Sequence, residues 1–280
     1  MKPAPFVYVA PASLDEAVAA LAEHGEDAKV LAGGQSLIPL LSLRLARPTA
    51  LIDLNGVAEL SSISANGAVT IGAMTRHRAV ERSSEVARLV PLLSAAVPYI
   101  GHAAIRTRGT IGGSLAHADP AAELPAVALA LDATFEVRST RGSRVIAADD
   151  FFEGYFTTAL TPDEVLTSVT FPKAAPGTGV SVQEMARRHG DFAMVAAVAT
   201  VAPGDVRIAM INVADRPVRA REAEAAMQAG VSIDEAAALA VRDLDPSADL
   251  HATAAYRRSV AEVLVRRALT EASDRAKDAS

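Results

Sequence analysis

Ile105-Arg-Thr-Arg-Gly-Thr-Ile-Gly-Gly-Ser-Leu-Ala-His-Ala-Asp-Pro120 is the stretch on which the fold turns. Gly112 and Gly113 lack Cβ atoms, so the backbone can bend sharply there and several N–H groups can converge on one anion. Ser114 adds a hydroxyl donor with little bulk. Asp119-Pro120 supplies an N-cap and a first-turn proline for a helix expected over 121–131. A shorter version of the same device stands at Ala32-Gly33-Gly34-Gln35-Ser36-Leu37, where an apolar strand over 29–32 breaks at the glycine pair before a helix. Either glycine pair alone reads most simply as a tight turn. Two of them with matching neighbours suggest two backbone cradles gripping one diphosphate from opposite sides.

The better-known nucleotide fingerprints are missing. No Gly-x-Gly-x-x-Gly follows a strand, and there is no Gly-x4-Gly-Lys-Ser/Thr, His-Glu-x-x-His or Gly-x-Ser-x-Gly. The chain has no cysteine, which removes disulfides, thiolate nucleophiles and thiolate-held clusters from this polypeptide. His117 and Asp119 have nothing nearby to complete a metal shell, and His77, His102 and His189 have no paired carboxylate or nucleophile in sequence reach. No residue is therefore assigned to acid-base catalysis or to a metal. The net charge of −6 with scattered Lys and Arg argues against nucleic acid. The longest apolar runs fall short of a membrane span, and no secretory signal follows Met1, so a cytoplasmic location is expected. Arg106 and Arg108 read as solvated surface residues.

Half of the 280 residues are hydrophobic and only 4% are aromatic, enough for about two domains with cores built from small side chains. Ser13-Leu-Asp-Glu16 has capping-box spacing and opens a helix to about residue 24. Strands are expected over 50–54, in a hairpin around Asn66-Gly67 with Val69 and Ile71 on one face, over 134–139 and over 164–171. A helical region covers about 76–101. The Pro- and Gly-rich segment 172–179 reads as a linker. Beyond it, strands over 180–187, 192–201 and 206–213 precede helices near 218–229, 232–241 and 253–270, with a charged alanine-rich tail expected to fray.

The two glycine loops, the segment 105–120, Arg188-His-Gly-Asp-Phe-Ala193 and Asp150-Phe-Phe-Glu-Gly-Tyr-Phe-Thr-Thr-Ala-Leu160 together resemble the medium, FAD-binding subunit of aerobic carbon monoxide dehydrogenase and related molybdenum hydroxylases, over nearly the whole chain. The resemblance implies an α+β architecture: a two-subdomain FAD-binding fold of the p-cresol methylhydroxylase/vanillyl-alcohol oxidase type, followed by a C-terminal three-stranded sheet with helices. Expected boundaries are 1–173 for the FAD-binding domain (subdomains about 1–56 and 57–173) and 178–280 for the C-terminal domain. It also implies that Ala32, Gly33, Gly34, Gln35, Ser36 and Leu37 hold the pyrophosphate and ribityl together with Thr110, Ile111, Gly112, Gly113 and Ser114. Asp119 would accept from sugar or ribityl hydroxyls, alongside its role as a helix cap. Leu166 would touch the flavin ring through its backbone, and Phe192 would lie beside it, although packing explains both equally well. Valine at Gly33 or Gly112 is expected to fill space that the dinucleotide needs.

The implied partners are a large molybdopterin subunit and a small iron-sulfur subunit, in a dimer of heterotrimers, with FAD the one cofactor of this chain. Two other classes compete: a self-contained flavin oxidase or dehydrogenase on the same fold, and a non-enzymatic nucleotide-binding module. The first would need substrate-facing acid-base residues near the ring. The second is disfavoured by a bound flavin that can be reduced and reoxidised.

Overall fold

The structure is a computed structural model that describes residues 1–279. Its N-terminal layer is a three-stranded parallel sheet, β1 (Val7–Val9), β2 (Ala28–Leu31) and β3 (Ala50–Asp53), in the order β1-β3-β2. Parallel neighbours need a crossover, and α1 (Leu14–His24) provides the first, burying Ala17, Val18 and Leu21 against Ala50 and Ile52. Ser13 caps α1 by accepting the Glu16 N–H at 3.2 Å. The Glu16 carboxylate accepts from Ala12 N, not from Ser13, so only half of the expected capping box forms. The short α2 (Leu37–Ser42) begins the second crossover, directly after the first glycine loop.

The middle layer is an antiparallel sheet of β4 (Ile63–Ser64), β5 (Val69–Gly72), β6 (Thr134–Ser139), β7 (Gly142–Ala147) and β10 (Val165–Phe171), ordered β4-β5-β10-β6-β7. The hairpin at Gly67 forms as expected, with φ +79 at the glycine and Val69 and Ile71 both buried. Between β5 and β6 the chain makes α3 (His77–Arg82), α4 (Ser84–Leu89), α5 (Pro91–Ala96), a 3-10 turn (Val97–Tyr99), α6 (Ala103–Arg106), α7 (Ile111–His117) and α8 (Glu123–Ala130). The helical region over 76–101 is broken because Ser83 caps a fresh helix and Pro91 and Pro98, lacking N–H groups, each start a new turn. The last helix begins at Glu123 and not at 121, since Asp119 spends its carboxylate on a local turn, accepting Ala121 N at 2.9 Å. Between β7 and β10 lie α9 (Ala148–Phe151) and the small hairpin β8 (Phe152–Gly154) and β9 (Thr157–Thr158).

The C-terminal sheet has the three long strands expected, β11 (Gly179–Met185), β12 (Val195–Ala202) and β13 (Asp205–Ile211), with a two-residue β14 (Val218–Arg219) added at its edge. Alternation divides its side chains between two cores. Val180, Val182, Ala196, Val198, Ala209 and Ile211 join the core of the middle layer. Ala197, Ala199, Ile208 and Met210 face α10 (Arg221–Gln228), α11 (Ile233–Val241) and α12 (Ala254–Asp278). The terminal tail does not fray at 270: α12 runs to Asp278 because Glu271 takes the Ser181 hydroxyl at 2.5 Å and Arg275 donates to Val180 O at 2.7 Å. No helix among the described residues is long and apolar enough to cross a membrane, and no group of three or more metal-ligating side chains forms among them.

The close seating of α12 on β11 depends on Gly179, where a Cβ would lie 2.5 Å from Ala276 N and closer still to Ala272 O, both main-chain atoms that cannot swing away. Gly179→Ala is expected to lower unfolding free energy by about 2–3 kcal/mol in urea titration, with the loss confined to the C-terminal packing.

Candidate functional site

The two glycine loops, some 80 residues apart in sequence, meet. A Cβ on Gly33 would sit 2.8 Å from Gly109 Cα and collide with Arg108 O, and one on Gly113 would sit 3.2 Å from the Ala32 Cβ. Backbone therefore rests on backbone, which only glycine permits. Arg76 and Asn55 staple the junction. The Asn55 amide donates to Ala32 O at 2.9 Å and accepts from Arg76 at 2.6 Å, while a second Arg76 nitrogen donates to Arg108 O. Arg76 also pairs with Thr110 in an isolated β-bridge.

The loops differ in what they offer. In the first, Gly34 sits at φ +72, the Gln35 amide returns to Gly33 O at 2.9 Å, and no chain acceptor meets the N–H groups of Gly33 to Leu37 among the described residues. These donors and the Ser36 hydroxyl form a cradle open to an anion. In the second loop the N–H groups are already engaged: Ile111 donates to Thr75 O, Gly112 to Ala73 O, Gly113 to the Thr110 hydroxyl at 3.1 Å and Ser114 to Thr110 O. Thr110, Ile111 and Gly112 are buried, and Thr110 is the N-cap of α7. The second loop thus contributes a close wall, a capped helix end and the half-buried Ser114 hydroxyl, not a fan of free donors.

The expectation about valine needs correcting. The Cβ directions of Gly33 and Gly112 point into protein, toward Arg108–Gly109 and Ala73 respectively, so a side chain at either would wreck the loop junction whatever the cleft holds.

Asp119 lies past the C-terminal end of α7, about 10 Å from Thr110 by helix rise. Ala118 before it adopts φ +50 and accepts from Phe156 N, and the Phe156 ring lies 5.1 Å from that of His117. Leu166 is a core residue at a bulge in β10. The bulge matters to the cleft: Thr167 O accepts from Ala73 N, and Ala73 O accepts from Gly112 N, so the central strand anchors the second loop through two hydrogen bonds. Phe192 is not brought to the loops as a buried side chain; it is 59% exposed, in the loop between β11 and β12. That loop abuts the approach to the second glycine loop, since a Cβ on Gly190, at φ +87, would touch the His102 ring.

Arg106 is not a solvated surface residue. It is buried, paired with Glu81 at 3.1 Å, and donates to the carbonyls of Pro98, Ile100 and Gly101, so it fixes the turn that leads into the second loop. Arg108 is exposed as expected. Asn55, Arg76 and His77 escaped sequence reasoning. Asn55 reads as turn punctuation, and nothing local singles out Arg76. His77 is buried beneath the second loop, donating its N–H to Gly109 O, and neither ring nitrogen makes a hydrogen bond, the approach to the Thr110 backbone falling short of one. Burial, with Arg106 and Arg76 nearby, brings its pKa down to about 4, so the ring is neutral.

Residues 4–174 match the family described as the FAD binding domain in molybdopterin dehydrogenase, and residues 181–272 match the CO dehydrogenase flavoprotein C-terminal domain. Among curated relatives, the alpha subunit of the 6-hydroxypseudooxynicotine dehydrogenase complex of Paenarthrobacter nicotinovorans is 40% identical, covering 99% of this chain and 97% of its own. The carbon monoxide dehydrogenase medium chain of Hydrogenophaga pseudoflava is 39% identical, covering 97% and 98%. A solved carbon monoxide dehydrogenase from the same organism superposes with a TM-score of 0.95 at 39% identity over 98% of this chain and 99% of that one. Quinoline 2-oxidoreductase from Pseudomonas putida 86 gives 0.92 at 39%, over 100% and 99%. With both halves matched and two backbone loops closing on one cleft, the chain belongs to the family of FAD-binding medium subunits of molybdenum hydroxylases.

Proposed function

We propose that the chain holds FAD in the cleft between the two glycine loops and carries electrons from a partner's iron-sulfur clusters to an external acceptor. The observation that carries this reading is the contact of Ala32 with Gly113, which sets the open N–H groups of 33–37 against the capped end of α7 in a single cleft. These residues fit a dinucleotide: free donors for the diphosphate, hydroxyls at Ser36 and Ser114, and Asp119 one helix length away for sugar or ribityl hydroxyls. Leu166 and Phe192 are proposed to border the flavin end, the first through its backbone at the β10 bulge and the second from the rim. When bound, FAD supplies a redox centre able to exchange one or two electrons with partner groups. The chain's own residues bind, orient and shield it, and none of them is proposed as an acid, base or nucleophile.

The functional unit we infer includes a large molybdopterin subunit and a small iron-sulfur subunit as a dimer of heterotrimers in the cytoplasm, in keeping with relatives named as subunits of dehydrogenase complexes. Residues 1–56 and 57–173 are proposed as the subdomains that form the cleft, and 178–280 as the domain that closes its rim.

Ser36→Asp and Ser114→Asp place a carboxylate at the diphosphate position on half-buried side chains whose hydroxyls bond to no other residue in the chain. Each is expected to weaken FAD binding by about tenfold or more, as a like charge a few ångströms away costs about 1–4 kcal/mol, while the apoprotein melting temperature stays within a few degrees. Stoichiometric flavin absorbance in both variants would refute the cleft assignment. Arg76→Met releases the staple and is expected to lower FAD affinity by about tenfold with the circular dichroism spectrum unchanged.

The neutral His77 makes its own pH signature. Its folded pKa is depressed below the ordinary 6.5, so its contribution is complete above that value and is lost as pH falls toward about 4. Urea midpoints of the wild type should drop between pH 6.5 and 4 by up to about 1.4 kcal/mol per unit from this group, a component that His77→Leu removes.

A further inference from the structure

α8 opens with a carboxylate where every other residue of the helix is apolar and buried. Glu123 is 4% exposed, and its only bond is to its own N–H. Across the seam, on the same face of β11 as Val180 and Val182, Glu184 carries a buried Oε2 with no hydrogen-bond partner. No cation is paired with either group, among the described residues. The charged and titratable groups around them are few. Asp119 adds negative charge from the turn before α8, and His117, at the end of α7, is held below its usual pKa by burial. Tyr99, on the 3-10 turn, donates to Val182 O at 3.3 Å and is itself pushed up by burial and then by Glu184. Glu271 and Arg275 of α12 act on Tyr99 from the opposite face of β11, where both are tied to the strand. Arg219 of β14 is occupied by Asp132 and Glu224.

Two buried carboxyls within electrostatic reach of each other and of no countercharge cannot both ionise cheaply. Burial, then Glu184 and Asp119, push the Glu123 carboxyl up to about 8, and burial pushes Glu184 up to about 7. We propose that Glu123 and Glu184 keep a proton between them at neutral pH and that this proton is a condition for retaining FAD, Glu184 acting as a positioning residue that keeps Glu123 uncharged beside Asp119. The proposal rests on the cleft reading above. A bound diphosphate brings two negative charges to a site that already has Asp119, and ionising Glu123 would add another at close range. By linkage, if the cofactor prefers the protonated form, losing the proton must weaken the cofactor's hold.

The test is FAD titration of the full chain, followed by flavin fluorescence from pH 5.5 to 9, for the wild type, Glu123→Gln and Glu184→Gln; glutamine mimics the protonated acid. The wild-type dissociation constant should be level to about pH 7 and rise by about tenfold by pH 9. Both glutamine variants should bind at pH 9 within about threefold of their affinity at pH 6. A level wild-type profile, or a Glu184→Gln profile that keeps the wild-type slope, overturns the proposal while leaving the cleft reading intact. Absence of binding at pH 6 in all three proteins overturns both.

Discussion

Main chain touching main chain at Gly33 and Gly109 is the constraint from which the site follows. No side chain can intervene there, so the approach of the two loops is fixed by atoms that have no rotamers, and the distance between the cradles is set more firmly than side-chain packing could set it. Arg76 and Asn55 then spend their hydrogen bonds on the carbonyls that this approach would otherwise leave facing one another. The division of labour is unequal. The first loop keeps its amides free, while the second consumes its own in holding α7 and β5 together.

Support for the second loop reaches far into the fold. Gly112 hangs from Ala73, Ala73 from the Thr167 carbonyl, and Thr167 is freed for this by the irregular register of β10 between Leu166 and Ser168. The bulge therefore redirects a carbonyl from the sheet to the site. Beneath the same loop, Arg106 gathers three carbonyls and Glu81, and His77 fills the remaining volume as a neutral ring. On the other side, the C-terminal sheet lends one face to the core of the middle layer, so the seam that carries Glu123 and Glu184 is continuous hydrophobic packing rather than a loose domain contact.

The amino-acid sequence made much of this legible because its strongest signals are local. The glycine pairs, the caps at Ser13, Ser232 and Thr253, the 66–67 turn and the three long C-terminal strands all announce themselves within a few residues. What it hid depends on partners distant in the chain. Asn55 and Arg76 matter only through Ala32 and Arg108, Arg106 looks solvated until the carbonyls of 98–101 surround it, and the burial of Glu123 is settled by a strand 60 residues further on. Phe192 shows the converse: an aromatic beside a strand reads as core, but a turn with Gly190 in the left-handed region leaves it on the surface. The glycines at 33 and 112 were read for the right freedom and the wrong neighbour, since their missing side chains make room for the chain itself.

The order of strands in the middle sheet has a consequence for biogenesis. β10, the last of its five strands to be synthesised, occupies the central position between β5 and β6, and it carries the carbonyl that ultimately suspends the second loop. A nascent polypeptide that has emerged only through residue 114 owns both cradles yet lacks the beam from which one of them hangs. Cofactor capture must wait until translation has passed about residue 171, which makes premature loading of a truncated product unproductive and couples flavin incorporation to completion of the sheet.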